Sequence, residues 1–247
     1  MARLEITPFG REMRENHFLF SKGHVNLNQG SHSNPKTYPH VSNHHLADSS
    51  KGAYGSYPGR VRDAMRDWQD AAESQPDKFI RYIFPECLSE IRHQIASFLN
   101  ADVDGTVFVP NATTGLNTVL RNLVFQPGDK IVYFTGVYGA IGKTVDYLTE
   151  TTPVTSVEVP FDPSKDDEEC IVSRFISSVE EHGNSIRVAI FDTVMSVPGV
   201  RMPFERLTKV CRRHGIFSVI DGAHGVGFID LNIGELDPDF LVTNCHK

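Results

Sequence analysis

Two short stretches near the C-terminal end decide how this chain reads: Phe217-Ser-Val-Ile-Asp221-Gly-Ala-His224-Gly-Val-Gly227 and Thr243-Asn244-Cys245-His246-Lys247. Ser218-Val-Ile220 is a short apolar run that predicts a buried strand, and it delivers Asp221 into a glycine-rich turn. Phe240-Leu-Val-Thr243 predicts a second such strand, which leads to Lys247. In an open α/β sheet, ligands sit outside the carboxyl ends of the strands. A carboxylate and a lysine at two strand ends are placed to hold two ends of one ligand. Taken singly, each has a plainer reading, Asp221 as a helix cap and Lys247 as a solvated lysine.

Working outward, the same alternation of short apolar runs and helical spacing fills most of the chain. Strands are predicted at Val107–Pro110, Lys130–Phe134, Val154–Val159 and Arg187–Asp192. Helical spacing covers Pro8 to Phe20, a run from Pro58 through Val61, Met65, Trp68 and Ala72, and a second marked by Leu88, Ile91, Ile95 and Leu99. The second of these later runs reads as a core helix. Further helices follow Asn111, run from Ala140 to Tyr147 and from Cys170 to His182, and fill Phe204 to His214, where Gly215 is the stop. Asp162 to Glu169 is a charged run that reads as a solvated turn. Strands alternating with helices, without internal repeats, predict an α/β fold with a mostly parallel sheet and helices on both faces.

Composition narrows the function classes. A chain of 247 residues with 40% hydrophobic residues can enclose a sizeable core. A net charge of −7 offers no basic footprint for nucleic acid or an anionic membrane. The N-terminus lacks the apolar core of a signal peptide, and no apolar run reaches the ~20 residues that span a bilayer, so a cytoplasmic protein is expected. Cys87, Cys170, Cys211 and Cys245 are scattered and argue against a disulfide framework or structural zinc. His32, His40, His44 and His45 crowd a segment that reads as loop, and no metal site is expected there.

The cofactor that needs both a lysine and a carboxylate is pyridoxal 5′-phosphate. The lysine forms a Schiff base with it, and the carboxylate pairs with the pyridinium nitrogen. Asp-Gly-Ala-His after one apolar strand and Asn-Cys-His-Lys after the next resemble the lysine region of class V aminotransferase-like enzymes. Within them the likeness is to the branch of fungal hercynylcysteine sulfoxide lyases and isopenicillin N epimerases. The resemblance implies the large domain of fold-type I pyridoxal phosphate enzymes and covers nearly everything outside residues 32–53.

What it implies for single residues follows the motifs. Asn111-Ala112-Thr113-Thr114-Gly115 turns from a strand into a helix, a geometry that holds phosphate on unpaired N–H groups, and it matches the family's Asn-Ala-Thr phosphate segment. Ala112, Thr113 and Thr114 form the expected phosphate set. By the resemblance, Tyr138 stacks on the cofactor ring and moves a proton at the reacting carbon, while Ser196 and His224 lie near the ring oxygen. Asp221 and Lys247 take the two roles already named, with Asn244 and His246 close by. Asn28, in Leu27-Asn-Gln-Gly-Ser31, matches a segment near the substrate, although Gln29 stands where relatives carry a histidine. Arg81 of the Arg-Tyr pair is a candidate for a substrate carboxylate, with a surface arginine as the alternative.

The resemblance further implies a small-molecule amino-acid substrate, a homodimer in the complete protein, and carbon–sulfur lyase chemistry on a cysteine-derived, hercynylcysteine sulfoxide-like compound in ergothioneine biosynthesis. Epimerisation and transamination share the same first proton loss and stay open. Residues 1–57 read as an N-terminal arm, and residues 58–247 as a large domain that lacks its C-terminal part and the family's small domain. On that reading the chain is a fragment, and an inactive remnant or non-catalytic module is the competing expectation. Residues 32–53 are polar, proline-bearing and aperiodic. Removing them joins Gly30-Ser31 to Tyr54-Gly55, as in the family, so they read as a retained intron or a loop insertion. A Rossmann-like nucleotide binder is disfavoured because no Gly-x-Gly-x-x-Gly follows a first strand.

Overall fold

A computed structural model describes residues 11–19 and 57–246. Asn28, Lys247 and the 32–53 segment lie outside the described residues. The chain divides into two compact units, one holding the described residues up to Ile95 together with His246, the other running from Ala96 to Cys245.

The first unit is helical. It contains α1 (Arg11–His17), α2 (Gly59–Ser74), α3 (Pro76–Lys78), a π turn (Phe79–Ile83) and most of α4 (Phe84–Leu99). The helices stand where the apolar spacing places them, but α2 buries none of its residues and Trp68 is 50% exposed. The core helix expected at Leu88 to Leu99 is one only toward its end, since α4 buries Ala96 and Leu99 while Leu88 and Ile91 stay exposed. A few helices enclose too little volume to cover both faces of an amphipathic helix. The apolar contacts that do form are aromatic, with the Trp68 and Phe79 rings edge to face at 6.1 Å and Phe79 and Phe84 at 6.3 Å.

The second unit is built on five parallel strands, β1 (Lys130–Phe134), β2 (Thr155–Val159), β3 (Ile186–Asp192), β4 (Phe217–Gly222) and β5 (Phe240–Thr243), in the order β2-β1-β3-β4-β5. The helices between them are α5 (Ala112–Asn122), α6 (Gly139–Thr151), α7 (Glu168–His182), α8 (Phe204–His214) and the short α9 (Ile233–Leu236). Each has a local cause. Asn111 caps α5 by accepting the Thr114 N–H at 2.8 Å, and Asp167 caps α7 by accepting the Cys170 N–H at 2.8 Å, which starts that helix at Glu168 rather than Cys170. Gly215 ends α8 at φ +66°, a left-handed conformation that glycine adopts without steric cost.

Val107–Pro110 forms no strand, which corrects the sequence expectation. A strand exists only as a member of a ladder, and no described strand pairs with this run. Val107 is accordingly exposed.

Side chains alternate along each strand, so the sheet has two distinct faces. One packs against α7 and α8 through Phe134, Phe175, Phe191, Phe204, Leu207 and Ile220. The other packs against α5 and α6 through Leu116, Leu120, Ile131, Ile141, Ile190 and Val219. The order of strands reverses between β1 and β3, and the crevice at their carboxyl ends is where a doubly wound sheet takes its ligands.

Candidate functional site

Four loops meet the α5/α6 face at the carboxyl ends of β1, β3, β4 and β5, and each carries a residue singled out from the sequence. After β1, Gly136 turns the chain at φ +86°, and a Cβ there would stand 3.0 Å from Met195 Cε. The turn brings Tyr138 to the N-terminus of α6, half-buried against Val137 and the α5/α6 core. After β3, Val194 pairs with Arg201 in an antiparallel bridge, and Ser196 lies exposed in the loop they close.

Asp221 is the penultimate residue of β4 and is only 3% exposed. Its backbone is fixed by the Thr193 N–H, which donates to its carbonyl at 2.9 Å, and its Oδ1 accepts the Ala223 N–H at 2.9 Å. The next residue must be small. A Cβ on Gly222 would lie 3.1 Å from the Val242 carbonyl oxygen of β5, and Thr243 Oγ1 donates to the Gly222 carbonyl at 2.6 Å. The turn closes through the Gly225 N–H and the Gly222 carbonyl at 2.7 Å, leaving His224 half-buried with its ring edge to face with Phe228 at 6.2 Å.

The N-terminal turn of α5 is tied to the end of β5. The Ala112 N–H donates to Asn244 Oδ1 at 3.1 Å, the Thr114 N–H goes to Asn111, and the Gly115 N–H goes to the Asn111 carbonyl at 3.0 Å. Among the described residues the Thr113 N–H has no such partner. Asn244 is 4% exposed, and its Nδ2 has no hydrogen-bond partner among the described residues. A buried amide donor without an acceptor is costly, so its presence beside a helix N-terminus points to an anion as the missing acceptor. Close approach of α5 to β5 depends on Gly115, because a Cβ there would meet Val242 Cγ1 at 2.5 Å.

These observations test whether pyridoxal phosphate fits. The helix turn with an unused N–H and the orphaned amide suit its phosphate. The buried carboxylate of Asp221 suits a protonated ring nitrogen, and half-buried Tyr138 offers a flat flank. The residues fit the group.

One buried acid was passed over in the sequence. Asp192 ends β3, is 7% exposed, and stands in register with Asp221 on β4. By strand alternation from Phe191, its side chain shares the α5/α6 face with that of Asp221. Burial and the negative charge of Asp221 push the Asp192 carboxyl well above the usual carboxylate range. An acid closing an otherwise apolar strand was the available signal.

Two further candidates belong to the other unit. Arg81 belongs to the helical unit, where it forms an exposed ion pair with Asp77 at 2.6 Å, and His246 belongs to the same unit. No cluster of metal-ligating side chains occurs among the described residues, and none of their helices is long and apolar enough to cross a membrane.

The model of the aminotransferase class-V family matches residues 64–247. An L-cysteine desulfhydrase-like protein of Epichloe uncinata is 36% identical over 97% of this chain and 48% of its own length. The hercynylcysteine sulfoxide lyase of Schizosaccharomyces pombe is 28% identical over 98% of this chain and 55% of its own. Among solved structures, the cystine C–S lyase C-DES in complex with cysteine persulfide superposes with a TM-score of 0.70 at 21% identity, over 77% of this chain and 50% of that one, which shows a common fold. The chain spans about half the length of the relatives it matches.

Proposed function

We propose that this chain, which belongs to the aminotransferase class-V family, carries the cofactor site of a carbon–sulfur lyase that acts on cysteine or a cysteine-derived amino acid. Its cofactor is pyridoxal 5′-phosphate. Bound at the strand ends, that group supplies an electron sink for charge developing at the substrate α-carbon.

The chain's own residues then divide the work. Asp221 holds a proton at the ring nitrogen, because a buried carboxylate in a dry pocket favours the cation beside it. The phosphate is held by the first turn of α5, by the hydroxyls of Thr113 and Thr114, and by Nδ2 of Asn244, and His246 is assigned to the cofactor as well. Tyr138 covers one face of the ring, excludes water from it, and moves a proton at the reacting carbon. Ser196 and His224 bind at the ring oxygen. Lys247 is assigned the covalent anchor of the cofactor, for which its amine must be neutral. Asn28 and Arg81 are assigned to the substrate.

The observation that carries the lyase reading is the relationship, along 97% of this chain, to a cysteine desulfhydrase-like protein. A lyase breaks the Cβ–S bond after loss of the α-proton, and sulfur leaves with the electron pair. The similarity to hercynylcysteine sulfoxide lyase over 98% of the chain favours a bulkier sulfoxide substrate as the second reading, with a place in ergothioneine biosynthesis. A homodimer belongs to the same proposal.

The test begins with cofactor added to the purified chain. Borohydride followed by peptide mapping is expected to leave the cofactor on Lys247. Sulfide and pyruvate from L-cysteine mark a desulfhydrase, whereas pyruvate from hercynylcysteine sulfoxide alone marks the second reading. A folded chain that retains no cofactor overturns both and identifies a non-catalytic module.

A further inference from the structure

Two aspartates occupy one face of the sheet on adjacent strands, Asp192 at the end of β3 and Asp221 directly opposite on β4. Both are more than nine-tenths buried. Two like charges this close in a water-poor crevice cannot both persist at ordinary cost, and one carboxyl must stay neutral. The donors decide which. Asp221 accepts the Ala223 N–H, a bond that favours its ionised form. Asp192 has no N–H or cation donating to its carboxyl among the described residues, and both burial and its neighbour act against its charge.

The other ionisable groups on the loops of this face are Tyr138 after β1, Arg201 after β3, which pairs with Glu205, His224 and Asp230 after β4, and Cys245 after β5, with His246 and Lys247 next in sequence. The first turn of α5 carries no charged side chain, and Lys143 of α6 is exposed and paired with Asp146 at 2.8 Å. The α5 N-terminus adds the positive end of a helix dipole to the same side.

We propose that Asp192 and Asp221 act as a one-charge pair, in which Asp192 keeps its proton and Asp221 alone presents a negative charge to the ring nitrogen. Asp192 is a positioning residue: it limits the charge facing the cofactor to one and holds Asp221 in place through a neutral neighbour. The consequence for the ring rests on the pyridoxal phosphate reading. The proton itself does not, and is measured on the chain without cofactor.

Raising a carboxyl above its unfolded value gives the native state more protons than the unfolded one. Stability contributed this way is present below the ordinary aspartate range, about pH 4, and is lost as pH rises through the folded value. The experiment is thermal unfolding of the cofactor-free chain across pH, comparing wild type with Asp192→Asn. Wild-type Tm is expected to fall relative to the variant from about pH 4 upward, by about 3 °C or more. Infrared spectra of the wild type supply a readout that needs no variant to fold: a protonated carboxylic-acid band at neutral pH, which Asp192→Asn lacks. Parallel Tm profiles together with no such band overturn the proposal. If the band is present but the chain retains no pyridoxal phosphate, the paired proton stands and the cofactor reading falls.

Discussion

The two faces of the sheet are built from the same strands yet treat polar groups in opposite ways. On the α7/α8 face, the buried hydroxyls of Thr208 and Ser218 are closed locally, while Ser178 Oγ of α7 has no hydrogen-bond partner among the described residues. Thr208 Oγ1 donates to the Phe204 carbonyl at 2.7 Å, and Ser218 Oγ and Asp239 Oδ2 meet at 2.9 Å. Around them Phe175 stacks on Phe134 at 5.8 Å and meets Phe191 edge-on at 6.3 Å. On the α5/α6 face, Asp192, Asp221 and Asn244 are just as buried, but they include two adjacent acids and an amide donor with no partner among the described residues. Two adjacent buried acids and an unpartnered amide at the carboxyl ends of the strands set the α5/α6 face apart, whereas the unpartnered buried group on α7 is a single hydroxyl, Ser178 Oγ.

The sharpest way to break this comparison is at the closed face. Phe175 is 1% exposed at the centre of the aromatic stack, and Phe175→Ala is expected to cost about 4 kcal/mol of stability. Below its lowered Tm the variant should bind pyridoxal phosphate with unchanged absorbance. Denaturant unfolding and a cofactor titration check the two halves. A large stability loss coupled to a changed cofactor spectrum contradicts the division of labour.

On the binding face the next effect is steric. Gly115→Ala drives a methyl toward Val242 Cγ1, a β-branched side chain with little freedom to move. Overpacking there is expected to cost about 2–3 kcal/mol. Because the strain falls on the first turn of α5, cofactor affinity should drop with it, unlike in Phe175→Ala. Gly115→Ser, carrying the same Cβ, should behave alike.

Much of this contrast was legible in the sequence. The strand ending in Asp221 and the one leading to Lys247 were visible as apolar runs because a parallel sheet buries both faces of its strands. α8 was bounded correctly because Gly215 stops it. Val107–Pro110 was misread because pairing is a tertiary fact that a short apolar run does not carry. Asp192 was passed over for a related reason. A terminal acid on a strand looks solvent-facing until the register puts Asp221 beside it. The Asn111-Ala112-Thr113 turn was found, whereas the tie between Ala112 and Asn244 joins residues far apart in sequence and becomes visible only when α5 lies on β5.

Asn244 and Ser218 provide the matched pair, since each is a buried polar side chain, Asn244 directly after β5 and Ser218 on β4, and the two face opposite sides. Asn244→Ala removes the acceptor for the Ala112 N–H and the free Nδ2, and is expected to cost about 1–2 kcal/mol of stability. Its cofactor affinity should fall about tenfold, the equivalent of about 1.4 kcal/mol. Equilibrium titration of cofactor absorbance reads the affinity.

Ser218→Ala is the smallest effect and the stricter control. Removing the hydroxyl takes one bond from Asp239, but the Ser218 N–H still donates to Asp239 Oδ2 at 2.9 Å, so the carboxylate keeps a partner. The Asp239 N–H loses Ser218 Oγ as its acceptor and lies where water can replace it, since Asp239 is exposed. The expected cost is therefore about 1 kcal/mol or less, with cofactor affinity unchanged. If Ser218→Ala weakens cofactor binding as much as Asn244→Ala does, the loss is a general loosening of the sheet. If only Asn244→Ala does so, the unpartnered amide belongs to the ligand.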